Sequence, residues 1–173
     1  MKIYEERYDR GLTRLLGNEF ISKSSLIFET LGTLDELNSI LGVARSKIKD
    51  KSINKILKEI QGKIFTLGTN IAGSNHTISN LDILKIEQLM ISLQKDLEGL
   101  KTFILPSGIE SATLLHVARS LARKAERRAV ALSQKRGVHI NNLKYLNRLS
   151  DLLFYLARIL NKKAKFKEEG WKK

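Results

Sequence analysis

Apolar residues recur every three or four positions along most of the chain, and that spacing predicts five helices. Leu34, Leu37, Leu41, Ala44 and Ile48 make one stripe of a first helix running from about Leu26 to Lys49. A second spans about Ile53 to Ala72 and stops at GSNHT, a loop by composition. A third covers Ser79 to about Leu100, with Ser79 as N-cap and Asp82 three residues on. After TFILPSG, Ser107 and Glu110 read as an S-x-x-E capping box that opens a fourth helix, which continues to about Gln134. The fifth starts near Asn141 and passes Leu160, with Leu146, Leu149, Leu153, Leu156 and Leu160 as its core stripe. Residues 1–25 carry Gly11, Gly17 and little helical period, so they read as an extended arm with turns. The expectation is an all-α fold: a five-helix bundle with a ferritin-like, four-helix-type core and an N-terminal arm.

The fourth helix repays closer attention. Leu115, Ala118, Ala122, Ala125, Ala129 and Leu132 form a seam of small residues, which implies close approach of a neighbouring helix. At 100° per residue, His116, Arg119, Arg123, Glu126 and Arg127 fall on a second stripe beside the seam, while Lys124 and Arg128 point elsewhere. On the fifth helix Asn147, Asp151, Phe154 and Arg158 line up in the same way, and on the first Asp35, Asn38 and Ser39 flank the leucines. A solvated face or a structural salt-bridge network accounts for such charges as readily as an anion site does. Arginines bordering a packed seam nevertheless need partners.

Composition narrows the classes. At 173 residues with 42% hydrophobic content, the chain has the size and apolar fraction of one helical domain. Cysteine is absent, which excludes disulfides, thiol catalysis and thiolate metal sites. MKIYEERYDR lacks an apolar leader core and no stretch approaches 18 uncharged apolar residues, so no membrane association and a cytoplasmic location are expected. The net charge of +13 suggests polyanionic partners. Much of that excess lies in NKKAKFKEEGWKK, from Asn161 onward, which reads as a solvated, fraying helix end. Aromatics are only 6% and do not interleave with the basic residues, so nucleic acid is an unfavoured partner. His76, His116 and His139 show no Glu-x-x-His pattern, which argues against a di-metal oxidase on a ferritin-like bundle. The division expected is an arm over 1–25, a bundle over 26–165 and a basic tail over 166–173.

Four blocks in order, GTLDELN from Gly32, FILPSG from Phe103, HVARSLARKAERR from His116 and YLNRLSD from Tyr145, resemble the PduO-type ATP:cob(I)alamin (corrinoid) adenosyltransferases. The resemblance implies a homotrimer with sites between subunits that transfers the 5'-deoxyadenosyl group of ATP to Co(I) of a corrinoid, giving adenosylcobalamin and triphosphate. It implies that Arg123, Lys124, Glu126 and Arg127 lie in the nucleotide block, with Arg127 on the phosphates. Arg123 would pair with Asp35 of the neighbouring subunit. Asn147 matches a nucleotide-contacting asparagine, Lys23 a phosphate-binding lysine, and Phe103 a phenylalanine that shields the lower face of the corrin. Cobalamin and ATP are then the substrates, magnesium arrives with ATP, and a reductase and an acceptor mutase are possible partners.

One region departs from the family pattern. Members open with a Thr-x-x-Gly-Asp-x-Gly-x-Thr arm; here Asp9, Gly11, Thr13 and Gly17 match, whereas Glu5 and Tyr8 replace the expected Thr and Gly. The arm is expected to close on ATP through Arg7, Tyr8, Asp9, Gly11, Thr13 and Arg14 despite those changes. A basic helical protein that binds nucleic acid or serves as a scaffold, or a relative that lost catalysis, is the alternative.

Overall fold

Five long helices carry most of the chain in a computed structural model that describes residues 6–16 and 20–172. They are α2 (Leu26–Lys47), α3 (Lys51–Ile71), α4 (Asn80–Lys95), α5 (Glu110–Ser133) and α6 (Ile140–Lys163). Before them the arm holds a one-turn helix, α1 (Glu6–Asp9), and two short strands, β1 (Leu12–Arg14) and β2 (Phe20–Ser22). The strands pair antiparallel, with Thr13 opposite Ile21. The arm is thus a helical turn and a hairpin, more ordered than the turns expected from its glycines. Gly11, at φ +76°, makes the bend into β1 that a side chain would oppose.

The alanine seam sets the arrangement of the layers. Ala118, Ala122, Ala125 and Ala129 are fully buried, and α5 packs along both α2 and α6, with α3 lying against α2 and α4 against α6. Small side chains let the two neighbouring helices approach α5 closely, so the leucines of α2 and those of α6 pack against it in one core. Leu34, Leu37 and Leu41 come from α2, and Leu146, Leu149, Leu153 and Leu156 from α6. Burying each such leucine contributes about 1.5–3 kcal/mol.

The start of α4 follows the sequence, its end comes earlier than expected, and two further ends depart from the sequence more fully, the start of α5 and the end of α6. Ser79 caps α4, with Asp82 reaching back to its N–H at 3.0 Å, and Lys63 holds the other oxygen of that carboxylate at 2.7 Å. That helix stops at Lys95, short of Leu100. The S-x-x-E box of α5 does not form: the N-cap is Ile109, and the Ser107 hydroxyl turns back to the Leu105 carbonyl. The reason lies on α6, where the buried Asn161 side chain accepts from the Ile109 N–H at 3.2 Å and donates to the Ser107 carbonyl at 3.0 Å. Gly108, at φ +140°, lies so close to that amide that an added Cβ would stand 2.0 Å from its oxygen.

The tail is the second departure. Instead of fraying, α6 ends in a Schellman motif: Phe166 N–H reaches the Asn161 carbonyl, Lys165 N–H the Lys162 carbonyl, and Lys165 itself takes the left-handed φ of 55°. A lysine in that position hides the stop from a reader looking for glycine. The chain then doubles back. Leu105 N–H donates to the Glu169 carbonyl, Trp171 N–H to the Phe103 carbonyl, and Ile104 bridges Gly170 antiparallel.

One ionisable group is buried without a hydrogen bond. His116 on α5 is 4% exposed and neither ring nitrogen has a partner among the described residues; its ring lies 6.1 Å from that of Phe154. Burial, reinforced by the charge of Arg119 and opposed by that of Glu168, lowers its pKa below the ordinary 6.5.

Two outcomes follow for stability. Asn161→Ala leaves the loop before α5 without its clamp and is expected to cost about 1–3 kcal/mol, read by denaturant unfolding. Because the unfolded chain takes up a proton at His116 near pH 6.5 and the folded chain resists it, stability held above that pH declines as the pH falls below it. Thermal midpoints measured from pH 7 to pH 5 should drop less steeply for His116→Leu than for the parent.

Candidate active site on the outer face of α5 and α6

Helical geometry sorts the charges of α5 onto two sides of the seam. On the α2 side, Lys124 Nζ meets Glu36 at 3.0 Å and Arg128 Nη2 meets Glu29 at 3.4 Å. Both thus point away from the stripe, as their helical positions predict. Lys124 is held on α2, apart from Arg123, Glu126 and Arg127, with which the resemblance grouped it. Both pairs are partly exposed and contribute little stability, but they fix which α5 cations belong to the α2 contact.

On the α6 side the picture is the opposite. Arg123 and Arg127 are exposed, and among the described residues neither has an ion pair or a side-chain hydrogen bond. Between them Glu126 accepts from Asn147 Nδ2 at 3.0 Å, the Asn147 carbonyl oxygen accepts from Arg148 at 2.8 Å, and Arg148 pairs with Glu87 at 2.9 Å. This run ties α5, α6 and α4 together and orients the Asn147 amide beside the two arginines. Further along, Arg119 has its Nε buried without a partner; burial and the neighbouring Arg123 both lower its pKa. Arg119, Arg123 and Arg127 thus outnumber Glu126 on this face, and among the described residues no ion pair engages Arg123 or Arg127, the property that a binding site for a polyanion requires.

Asp35 does not reach these arginines within one chain. It is exposed on α2 and lines a small cavity of about 100 Å³ between α2 and α3 with Leu31, Asn38 and Phe65. Arg123 is exposed on α5, and no ion pair joins the two within this chain among the described residues.

The arm gathers its own cations. Lys23 Nζ donates to the Tyr8 carbonyl at 2.6 Å and its backbone N–H to the Gly11 carbonyl at 2.8 Å. Phe20 forms a platform for Arg7 and Arg14, whose guanidinium carbons lie 4.8 and 4.1 Å from its ring centre, with Tyr8 packed at 6.2 Å. Tyr8 sits in α1, where a right-handed helical turn has no need of the glycine expected there. Asp9 ends that turn, and Thr13 lies in β1. Glu5 and Gly17 lie outside the described residues. Phe20 was not singled out from the sequence, where an isolated aromatic between loops carries no period.

Phe103 stands on the loop between α4 and α5 and is 82% exposed. Its backbone is nevertheless fixed, since its carbonyl accepts from Trp171 at 2.7 Å and the Thr102 hydroxyl donates to the Trp171 carbonyl at 3.1 Å. A large apolar side chain held outward on an anchored backbone is prepared to meet an apolar surface. The anchoring tail was also missed, because strand-like pairing across so many residues leaves no local signal.

Comparison with known proteins identifies the family of the chain. Residues 3–160 match the family model described as cobalamin adenosyltransferase. The corrinoid adenosyltransferase of Bacillus subtilis is 36% identical over 95% of this chain and 89% of its own length. The bovine enzyme of that name is 36% identical over 99% of this chain and 76% of its own length. Among solved structures, a phenylalanine-to-alanine variant of a PduO-type ATP:corrinoid adenosyltransferase from Lactobacillus reuteri, complexed with cobalamin and ATP, superposes with a TM-score of 0.94. It is 29% identical, and the match covers 99% of this chain and all of that one. An arginine-to-lysine variant of that protein, complexed with ATP, gives a TM-score of 0.92 at 30% identity. With the family model matching nearly the whole bundle and relatives matching over almost all of this chain, the chain belongs to the cobalamin adenosyltransferase family.

Proposed function

We propose that this protein transfers the 5'-deoxyadenosyl group of ATP to Co(I) of a corrinoid on the outer face of α5 and α6, completed by a second copy of the chain. The observation that carries the reading is the unneutralised pair Arg123 and Arg127 beside the oriented Asn147 amide, in a member of this family. Nucleic-acid binding or scaffolding loses its support, since the named relatives and structures are all adenosyltransferases.

In the reaction the cobalt electron pair attacks C5' of the ribose, a Co–C bond forms, the C5'–O bond breaks, and its electrons leave with triphosphate. Charge therefore grows on the bridging oxygen of a polyanion. Arg127 meets that charge through charge-assisted hydrogen bonds, with Arg123 held beside it by the neighbouring copy. Glu126 holds Asn147 for the nucleotide, and the arm closes over it through Arg7, Asp9, Gly11, Thr13, Arg14 and Lys23, with magnesium as the counter-ion of ATP. Lys124 contributes to the nucleotide site only by leaving Glu36, its partner in the free chain.

Phe103 lies under the corrin and keeps an axial ligand from the lower face. Without that donor Co(II) accepts an electron more readily, because axial ligation governs the potential of a macrocyclic metal. Support for this role is its outward exposure on a loop that two hydrogen bonds to the tail hold still.

The assembly is a homotrimer in which Asp35 of one copy pairs with Arg123 of the next. Each is exposed and has no ion pair among the described residues of its own chain, and a head-to-tail contact between different faces gives a closed ring when its rotation is one third of a turn. The enzyme works in the cytoplasm; its support is a cysteine-free chain in which no described helix is long and apolar enough to cross a membrane. A reductase delivers the electron and a mutase takes the product.

Mixing the protein with magnesium, ATP and chemically reduced cobalamin should give the absorption spectrum of adenosylcobalamin; folded protein without turnover would refute the reading. Arg127→Ala should lower kcat/KM for ATP by about a hundredfold or more, a loss of oxyanion-type stabilisation, with the same elution volume on gel filtration. Phe103→Ala should slow reactions started from Co(II) with a reductant at least tenfold more than those supplied with Co(I), consistent with an effect of axial ligation on potential.

A further inference from the structure

The tail that doubles back on the Phe103 loop encloses a cavity of about 510 Å³. One wall is the segment from Leu97 to Ile104, which includes the loop that carries Phe103; the other is the end of α6 and the tail. The volume falls within the range of roughly 300–1,000 Å³ typical of small-molecule sites. Its charge is one-sided: Lys101, Lys162, Lys165, Lys167 and Arg158 line it against Glu98 and Glu168.

Several of these groups are already engaged. Arg158, 7% exposed at its side chain, pairs with Glu168 at 2.9 Å and donates to the Glu98 carbonyl at 3.0 Å, which locks the tail to the far wall. Lys162 reaches the Asp96 carbonyl. Lys101, Lys165 and Lys167 are exposed, and among the described residues none has an ion pair. Three ammonium groups facing one concavity raise its potential together, and its walls focus that field. Phe166 adds an aromatic face to the same lining.

We infer that this cavity is a subsite for the phosphate ester on the lower nucleotide arm of a complete corrinoid. The inference rests on the adenosyltransferase reading and on the place of Phe103 under the corrin. A corrinoid that carries a lower base bears a phosphodiester on the arm leading to it. When Phe103 takes the lower face, the base leaves cobalt and the arm must lie elsewhere. The loop that displaces it is also a wall of the cationic cavity, so a single element links the displacement of the arm to a place for its phosphate. Phe166 is positioned to meet the aromatic base. The cavity thereby distinguishes complete corrinoids from precursors without the arm.

The test compares Lys101→Gln/Lys165→Gln/Lys167→Gln with the parent on three Co(I) corrinoids: cobalamin, cobinamide phosphate, which has a phosphate and no base, and cobinamide, which has neither. Removing three cations from a phosphate should raise KM for the first two about tenfold, while kcat, KM for cobinamide and KM for ATP stay unchanged. Equal changes for all three corrinoids, a rise in KM for ATP, or no change at all overturns the subsite. An effect on cobalamin alone assigns the cavity to the base and overturns the phosphate assignment. Parent protein that turns over no corrinoid marks failure of the adenosyltransferase reading. In that case quenching of Trp171, the only tryptophan, by the same three compounds gives the affinity comparison directly.

Discussion

Close packing along the alanine seam of α5 is the constraint from which the rest follows. Because Ala118, Ala122, Ala125 and Ala129 leave no room for larger groups, α2 and α6 approach the same helix from two sides. Longer side chains on α5 must then emerge beside the seam or on the outward face of the helix. Which charged residues find partners on α2 and which stay exposed follows from their angular position around the packed helix.

That division gives the two edges different roles. Lys124 and Arg128 find Glu36 and Glu29 on α2 and become part of the fold. Arg123 and Arg127 emerge where α6 offers Asn147, whose amide is turned by Glu126 and Arg148. Neutralised cations on one edge and free cations on the other amount to a surface prepared for an anion, and the family places ATP chemistry on such enzymes. The same logic applies at the far end of the bundle, where Arg158 and Glu168 satisfy each other and leave the neighbouring lysines facing a cavity.

Rigidity at Phe103 comes from an unexpected source. Loops between helices ordinarily owe their order to their own turns. Here Asn161 clamps one end of the loop before α5, and the tail pairs with its middle through Phe103, Ile104 and Leu105. Both contacts come from α6 or beyond it. The last residues of the chain thus help to hold the aromatic proposed to lie beneath the corrin.

How much of this was legible in the sequence depends on the range of the interaction involved. The five long helices, the seam on α5, the Ser79 cap and the stripe bearing Arg123 and Arg127 follow from a 3.6-residue period and local capping chemistry, which any window of the chain displays. The four ordered motif blocks pointed to the family by resemblance alone. Other features rest on contacts between residues far apart in the chain: Glu36 taking Lys124, Ile109 replacing Ser107 as the cap of α5 with Asn161 at its N–H, and the basic tail folding back onto Phe103. No local period encodes these, because each is chosen by which surfaces the packed helices bring together. The sequence by itself determined the elements and the character of their faces; only the tertiary structure decided which charges would be neutralised and which would remain for a ligand.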